Sequence, residues 1–327
     1  MRIAVTGSIA TDHLMAFPGR FADQLIPDQL AHVSLSFLVD GLDVRRGGVA
    51  ANIAFGLGSL GLYPLLVGAV GPDFAEYEVW LKEHGVDTGA VRVSAEHQTA
   101  RFMCITDQDA NQIASFYAGA MEEAREIDLW QLVGSWDRPD LVLVCPNDPA
   151  AMLRHTEECR QLGLPFAADP SQQLARLDGD EVRDLVAGAR WLLTNEYESA
   201  LLLERTGWTR EEVLERVDTW VTTLGGGGVR IDAVDEPTLT VPAVPGVEVA
   251  DPTGGGDAFR AGFFAGVGAG LPLEAAARLG CVTAAAALGA VGSQAYRVDR
   301  DALLDTVARA YGSAAADEIA PALNAVP

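Results

Sequence analysis

Residues 251–263 read D-P-T-G-G-G-D-A-F-R-A-G-F, three consecutive glycines followed at once by an apolar run. The run predicts a buried helix over 257–266, and the glycines end an extended approach to it. The first N–H groups of a helix have no partner within the helix, and the helix dipole adds about half a positive charge at that end. The stretch therefore predicts a socket for an anion such as a phosphoryl group, with the carboxylate of Asp257 inside it.

The composition favours one acidic globular domain. The chain has 327 residues and a net charge of −23, and a chain of this length buries roughly three quarters of its unfolded surface, so one domain over 1–327 is expected. The strong negative charge disfavours nucleic acid and anionic membranes as partners, which leaves a small molecule. The longest apolar stretches are too short to span a bilayer, and we expect a cytoplasmic protein.

Patterns that would indicate other chemistry are missing. Lys82 is the only lysine and no G-x-x-x-x-G-K-[ST] motif occurs, which excludes a Walker-type phosphate loop. The four cysteines and five histidines show no zinc-binding spacing. Residues 56–61 match G-x-G-x-x-G, but they are predicted to end a helix, whereas a dinucleotide fingerprint follows a strand and opens a helix. A nicotinamide-dependent oxidoreductase is therefore the weaker alternative.

From residue 141 onward, short apolar runs alternate with helical patterns. Such alternation is typical of a mostly parallel sheet with right-handed crossovers and helices on both faces. A β-ribbon is predicted over 229–241, just before the glycine-rich motif. Strands are predicted at 2–6, 64–70, 141–144, 165–168, 191–194 and 220–224, and helices at 48–60, 151–161, 181–187, from 196, and after a capping box that begins at Thr209.

Two inserted segments, about 11–46 and 97–119, depart from this alternation. Within them, 33–39, 101–105 and 112–117 alternate as half-exposed strands do. Together they predict a small antiparallel sheet that stands off the main body as a lid. Because exposed sheet edges need cover, we expect a homodimer that forms through the lid.

Four motifs occur in register along the chain: R-G-G-V-A-A-N at 46–52, N-E-Y-E at 195–198, T-L-G-G-G-G at 223–228 and G-G-G-D at 254–257. Together they resemble the signatures of the ribokinase-like (PfkB) carbohydrate and nucleoside kinases. The stretches 5–14, 114–117 and 169–174 resemble, more narrowly, the actinobacterial type of adenosine kinase. The resemblance implies a ribokinase-like three-layer sandwich with a lid. It also implies transfer of phosphate from ATP to the 5′-hydroxyl of adenosine, giving AMP in purine salvage.

The resemblance assigns the chemistry to the glycine-rich motif. It makes Asp257 the general base and gives Gly254, Gly255 and Gly256 to the anion socket, although a first-turn aspartate can also be a simple helix cap. Gly255 stands where the family usually has a small side chain. We expect this change to cost backbone entropy without abolishing the socket.

The resemblance places the acceptor nucleoside on the N-terminal half and the lid. Asp12 and Asn52 offer acceptors and donors for a ribose diol, but a loop turn and a helix cap explain them equally. Phe102 and Phe116 are predicted on the inner face of the lid, where two rings can sandwich a purine, although isolated aromatics are more often core. The full set of acceptor residues is Ser8, Asp12, Gly47, Gly48, Asn52, Phe102, Phe116, Gln172 and Gln173; the two glutamines are either readers of the purine edge or plain surface residues.

ATP and its metal are assigned to strand ends in the second half. Asn195 and Glu198, spaced i, i+3, can hold Mg²⁺ through its waters, but the same pair fits an ordinary N-cap. A monovalent cation such as K⁺ near Asp251 and Gly292 stays open. The residues expected to line ATP are Asn195, Thr223, Gly225 and Gly228, with Arg176 and Arg260 as phosphate contacts or plain surface arginines.

Other functions remain open at this point. A kinase of the same fold can act on another nucleoside or on a free sugar such as ribose or fructose. A catalytically silent nucleoside sensor is the alternative from a different class, and the intact Asp257 argues against it.

Overall fold

The structure is a computed structural model that describes residues 1–25, 34–135 and 138–326. Its strands are β1 (Ile3–Thr6), β2 (Ala10–Ala16), β3 (Gly41–Gly47), β4 (Leu65–Val70), β5 (Asp87–Val93), β6 (Ala100–Thr106), β7 (Gln112–Tyr117), β8 (Leu141–Val144), β9 (Phe166–Ala168), β10 (Trp191–Asn195), β11 (Thr219–Thr223), β12 (Val229–Ala233) and β13 (Leu239–Val241). Its α-helices are α1 (Phe21–Gln24), α2 (Val49–Ser59), α3 (Ala75–Glu83), α4 (Leu129–Ser135), α5 (Pro149–Leu162), α6 (Gly179–Val186), α7 (Glu196–Thr206), α8 (Arg210–Leu214), α9 (Gly255–Gly268), α10 (Leu273–Leu288), α11 (Arg300–Tyr311) and α12 (Ser313–Ile319).

The large sheet carries the fold. Its order is β13-β12-β11-β10-β9-β8-β1-β4-β5, and neighbouring strands from β5 to β11 run parallel. The last two strands, β12 and β13, add antiparallel at one edge, as the predicted ribbon requires. The predicted mostly parallel sheet is confirmed, and strands β8 to β11 lie within two residues of their predicted bounds.

Two hydrophobic cores lie on the two faces of this sheet. Alternate residues of one strand enter different cores: Ile3 and Val5 pack with α2, α9 and α10, whereas Ala4 packs with α5, α6 and α7. This alternation follows from the period of two in a β-strand. The sandwich of helices on both faces is therefore confirmed, and α9, which starts at the glycine-rich motif, lies in the first core.

A small sheet of order β3-β2-β6-β7 comes from the two inserted segments. The predicted strand at 33–39 is wrong for residues 34–39, which have no regular structure, and Val33 lies outside the described residues. Instead the partner strand is β3, which leads directly into Gly47. The sheet is also mixed, not purely antiparallel, because β2 and β6 run parallel.

Two local predictions are confirmed in detail. Thr209 caps α8 in a reciprocal capping box with Glu212. The G-x-G-x-x-G stretch ends α2, and a Cβ on Gly58 would lie 2.0 Å from the carbonyl oxygen of His84, so these glycines serve close packing of a helix end. In the described part of the chain, no helix is both long and apolar enough to cross a bilayer.

Candidate active site

The carboxyl ends of the parallel strands converge on the N-terminus of α9. Ser8 follows β1, Asp169 follows β9, Asn195 ends β10 and Thr223 ends β11. Because parallel strands end at one edge of the sheet, residues far apart in sequence meet there. This edge is the candidate active site.

Gly254 and Gly255 form the turn into α9. Gly254 has φ +80°, and a Cβ there would lie 2.5 Å from the Cβ of Ser293, so only glycine fits. A Cβ on Gly255 would lie 2.9 Å from Leu288 Cδ2, which is a physical reason for glycine at this position. The first amide of the helical ladder is that of Ala258, which donates to the Gly254 carbonyl at 2.9 Å. The amides before it form the N-terminal socket of the helix.

Asp257 sits in the first turn of α9, half-buried, and its Oδ2 accepts a hydrogen bond of 2.8 Å from Asn52 Nδ2. Burial raises the pKa of Asp257 to about 6, because it penalises the charged form. The nearby Arg260 and the Asn52 bond lower this pKa, and the carboxylates of Asp169 and Glu198 raise it. A carboxyl group with this pKa is a competent general base near neutral pH.

Two cavities meet beside Asp257. The smaller, of about 160 Å³, is lined by Asp257, Arg260 and Glu198 among others. The larger, of about 680 Å³, runs from the 225–228 glycines past residues 242–249 to Gly256. The two cavities share Thr223 and Gly256. An elongated ligand in the larger cavity can therefore direct one end at Asp257.

Asn195 and Glu198 cap α7 reciprocally. Asn195 Oδ1 accepts from the Glu198 amide at 2.8 Å, and Glu198 Oε2 accepts from the Asn195 amide at 2.7 Å. The N-cap that was the alternative for this pair is thus present, and the mostly buried Glu198 still lines the smaller cavity. Among the described residues, no group of three metal-ligating side chains was found. This donor set fits a Mg²⁺ ion held mainly by phosphates and waters, with Glu198 reached through water.

Arg260 and Arg176 occupy different surroundings. Arg260 is buried and donates to both oxygens of Asp169, at 2.5 and 2.7 Å, and to the Gly256 carbonyl at 3.1 Å. It also lines the smaller cavity. Arg176 is exposed, after the turn at Ser171–Ala175. A phosphate contact stays a prediction for both, and Arg260 would have to make it beside Asp169.

The acceptor residues around α2 are held by backbone geometry. Gly48 has φ +93°, and a Cβ there would lie 2.6 Å from the Ser8 carbonyl oxygen. The Ser8 hydroxyl accepts from the Val49 amide at 3.0 Å and so caps α2. The Gly47 carbonyl accepts from the Tyr77 hydroxyl at 2.9 Å. The close approach of β1 to the start of α2 thus explains the glycines at this turn.

Asp12 lies in a row of side chains across the small sheet. The register pairs Asp12 with Arg45 on one side and with Phe102 on the other, and Phe102 with Phe116. Burial raises the pKa of Asp12, and Arg45 opposes the shift. Paired residues of adjacent strands share one face, so the two phenylalanines stand side by side. The predicted sandwich of a purine between Phe102 and Phe116 is therefore wrong; both rings can contact only the same side of a flat ligand.

The two glutamines differ in exposure. Gln172 is exposed and accepts from the Ser171 hydroxyl at 2.7 Å. Gln173 is buried, and its Nε2 donates to the Asn147 carbonyl at 2.8 Å while its Oε1 has no protein partner. A role in reading a purine edge stays a prediction for both.

Asp251 is already paired with a cation. Its Oδ2 accepts from Arg45 Nη1 at 2.9 Å and from the Gly292 amide at 3.0 Å, and its Oδ1 accepts from the Thr253 amide at 2.9 Å. A monovalent cation at this carboxylate would lie beside the Arg45 charge. The residues present therefore do not fit the expected cation site near Asp251 and Gly292.

Several residues of the site carry no signal in the sequence. Asn52 Oδ1 accepts from Gln294 Nε2 at 2.9 Å and from the Ser293 hydroxyl at 3.1 Å, and neither residue belongs to a recognisable motif. Asp169 ends a predicted strand, which is the only signal that pointed to it. Position after a strand is a useful guide, but Gln294 reaches the site from a loop.

Comparisons with known proteins identify the family. The model of the pfkB family of carbohydrate kinases matches residues 10–299. A nucleoside kinase of Methanocaldococcus jannaschii is 30% identical over 250 residues, 76% of this chain and 80% of that protein, and a cytidine kinase of Thermococcus kodakarensis is 27% identical over 263 residues, 77% of this chain and 91% of that protein. The solved structure of a Burkholderia thailandensis nucleoside kinase in complex with inosine is 35% identical, with a TM-score of 0.82 over 95% of this chain and 98% of that one. This chain belongs to the pfkB family of carbohydrate kinases.

Proposed function

We propose that this protein is an ATP-dependent kinase that phosphorylates the 5′-hydroxyl of adenosine to give AMP. The observation that carries the proposal is Asp257, a half-buried carboxylate with a pKa of about 6 in the first turn of α9, beside two cavities that meet at Gly256 and Thr223. The larger cavity suits ATP, and the smaller suits the phosphoryl group and the acceptor hydroxyl. The products are ADP and a phosphate ester of an alcohol.

In the proposed reaction Asp257 takes the proton of the 5′-hydroxyl as its oxygen attacks the γ-phosphorus of ATP. The bond from that phosphorus to the β,γ-bridging oxygen breaks, and ADP leaves. The amides of 254–257 stabilise the negative charge on the transferring group. Mg²⁺, when bound with ATP, neutralises β and γ oxygens, and Glu198 orients its waters. Closure of the small sheet over the acceptor would exclude water and limit ATP hydrolysis.

The choice of a nucleoside over a free sugar rests on the small sheet. Phe102 and Phe116 give one apolar platform beside Asp12, which suits a base stacked on one face and a ribose near the carboxylate. A free sugar has no flat ring for such a platform. The similarity to a kinase solved with inosine and to a cytidine kinase supports a nucleoside and keeps these two nucleosides as alternatives to adenosine.

The deciding experiment is a comparison of kcat/KM for adenosine, inosine, cytidine, ribose and fructose with MgATP. We expect adenosine to be highest, with free sugars at least about 100-fold lower, because they lose the stacking contacts. A higher value for inosine or cytidine would move the proposal to that nucleoside. A higher value for ribose or fructose would contradict a nucleoside kinase.

We further propose a cytoplasmic homodimer that forms through the small sheet. Leu42 and Val44 on β3 and Ile113 on β7 are 62%, 53% and 47% exposed and share the face opposite Phe102. A second copy would cover these apolar side chains and the edge strands. Sedimentation velocity of Leu42→Glu should show a monomer if the proposal is right and an unchanged species if it is wrong.

A further inference from the structure

A directed chain of hydrogen bonds leads from Trp80 to the proposed base. Trp80 Nε1 donates to Gln294 Oε1 at 3.1 Å, and Gln294 Nε2 donates to Asn52 Oδ1 at 2.9 Å. Asn52 Nδ2 then donates to Asp257 Oδ2 at 2.8 Å. The four residues lie on α3, on the loop after α10, on α2 and on α9, so the chain forms only in the folded protein.

The direction of the chain is fixed at its far end. An indole nitrogen can only donate, so Gln294 must present its oxygen to Trp80 and its NH₂ group elsewhere. Tyr77 gives a second constraint: its hydroxyl donates to the Gly47 carbonyl, which leaves the hydroxyl oxygen to accept from Gln294 Nε2. The orientation of the Gln294 amide therefore follows from donor and acceptor chemistry.

Gln294 in turn fixes Asn52. Two donors, Gln294 Nε2 and the Ser293 hydroxyl, face Asn52 Oδ1, so the NH₂ group of Asn52 must face Asp257. The flipped amide would set an oxygen against the Asp257 carboxylate and an NH₂ group against that of Gln294. Asn52 and Gln294 are only 6% and 5% exposed, so water cannot readily replace the lost bonds.

We propose that Gln294 is a positioning residue for the general base: it holds the Asn52 amide with its NH₂ group on Asp257, and Trp80 sets the direction. The donated bond ties down Oδ2 of Asp257 and leaves Oδ1 to take the proton of the acceptor. This inference rests on the proposed function only where it assigns that proton transfer. The orientation of Asn52 can be tested without any substrate.

Other groups also act on Asp257. The titratable groups that face it are Arg260 on α9, Asp169 after β9, Glu198 on α7, Cys145 after β8, Tyr77 on α3 and Tyr296 after α10. Arg260 and the Asn52 bond lower the pKa of Asp257, and the two carboxylates raise it. Of these influences, the Asn52 bond is the one that Gln294 controls, so its loss should raise the pKa of Asp257.

The test is a direct titration of the Asp257 carboxyl carbon by NMR in protein labelled at aspartate carboxyls, with Asp257→Asn to assign the signal. The variants are Gln294→Met, which keeps length but removes both polar atoms, and Trp80→Phe. Trp208→Phe is the matched control, because Arg216 lies 4.5 Å from the Trp208 ring as Arg46 lies 4.4 Å from that of Trp80. We expect the pKa of Asp257 to rise by about 0.5 to 1 unit in both variants and to stay unchanged in the control.

An unchanged Asp257 titration in folded Gln294→Met would overturn the inference. If that variant does not fold, Trp80→Phe decides in the same way, because it removes only the donor that sets the direction. In active protein, the acid limb of kcat/KM should move to higher pH by the same amount. A protein that phosphorylates no nucleoside would contradict the proposed function and leave the titration result intact.

Discussion

Arg260 donates two hydrogen bonds to Asp169, 91 positions earlier in the chain, and both side chains are almost fully buried. The pair joins the first turns of α9 to the end of β9 directly beneath Asp257. Removal of one partner would leave a buried charge without compensation, which costs more than the intact pair contributes.

We therefore expect Arg260→Ala to lower the free energy of unfolding by about 3–5 kcal/mol, measured by urea denaturation. Lys82→Ala, which breaks an exposed pair with Glu78, is the control and should cost no more than about 1 kcal/mol. Equal losses in the two variants would show that the Asp169 pair is not the stabilising feature described here.

Asp257→Asn should lower kcat by about 10²- to 10⁴-fold and leave nucleoside affinity nearly unchanged, since the amide cannot accept the proton. Single-turnover rates and equilibrium binding of adenosine measure the two effects separately. A kcat near that of the unmodified protein would remove Asp257 from its role as general base.

The raised pKa of Asp257 predicts two opposite pH effects. The base works as the carboxylate, so kcat/KM should fall as pH drops through about 6. Stability runs the other way, because the folded protein holds this proton up to about pH 6 and an unfolded chain only to its ordinary value of 3.8. The stabilising contribution of the proton is present below 3.8 and is lost as pH rises through about 6. The Tm of the unmodified protein should therefore drop relative to that of Asp257→Asn between pH 4 and 7.

Glu198→Gln should raise the Mg²⁺ concentration for half-maximal rate while adenosine binding stays the same. A glutamine oxygen can still accept from the Asn195 amide, so the cap of α7 survives the substitution. Glu196→Gln, an exposed carboxylate in the same first turn, is the control. Identical Mg²⁺ titrations for all three proteins would leave Glu198 with capping alone.

Phe102→Ala and Phe116→Ala should each weaken adenosine binding by roughly 10- to 100-fold, through lost stacking and lost apolar burial. Ile113→Ala is the matched control, since Ile113 is similarly exposed on the same strand as Phe116 but on the opposite face. Calorimetry of the three variants measures the effect. A loss in Ile113→Ala as large as in Phe116→Ala would assign the effect to the stability of the small sheet.

Much of the fold follows from local patterns. The alternation of short apolar runs and helices after residue 141 predicts the parallel sheet, because each strand must bury both faces and each crossover needs a helix. The small sheet was less predictable. Half-exposed strands carry weak patterns, so the strand expected at 33–39 was wrong and β3, which is mostly exposed, was missed.

The sequence by itself determined the glycine-rich turn, the helix behind it and Asp257 at its first turn, because glycine geometry and helix ends are local properties. Only the tertiary structure decided what surrounds that carboxylate. Asn52 reaches it across 205 positions and Gln294 reaches Asn52 across 242. Strand register likewise placed Phe102 beside Phe116 and not opposite it. Such long-range partners depend on how strands and helices pack, and no short stretch of sequence specifies them.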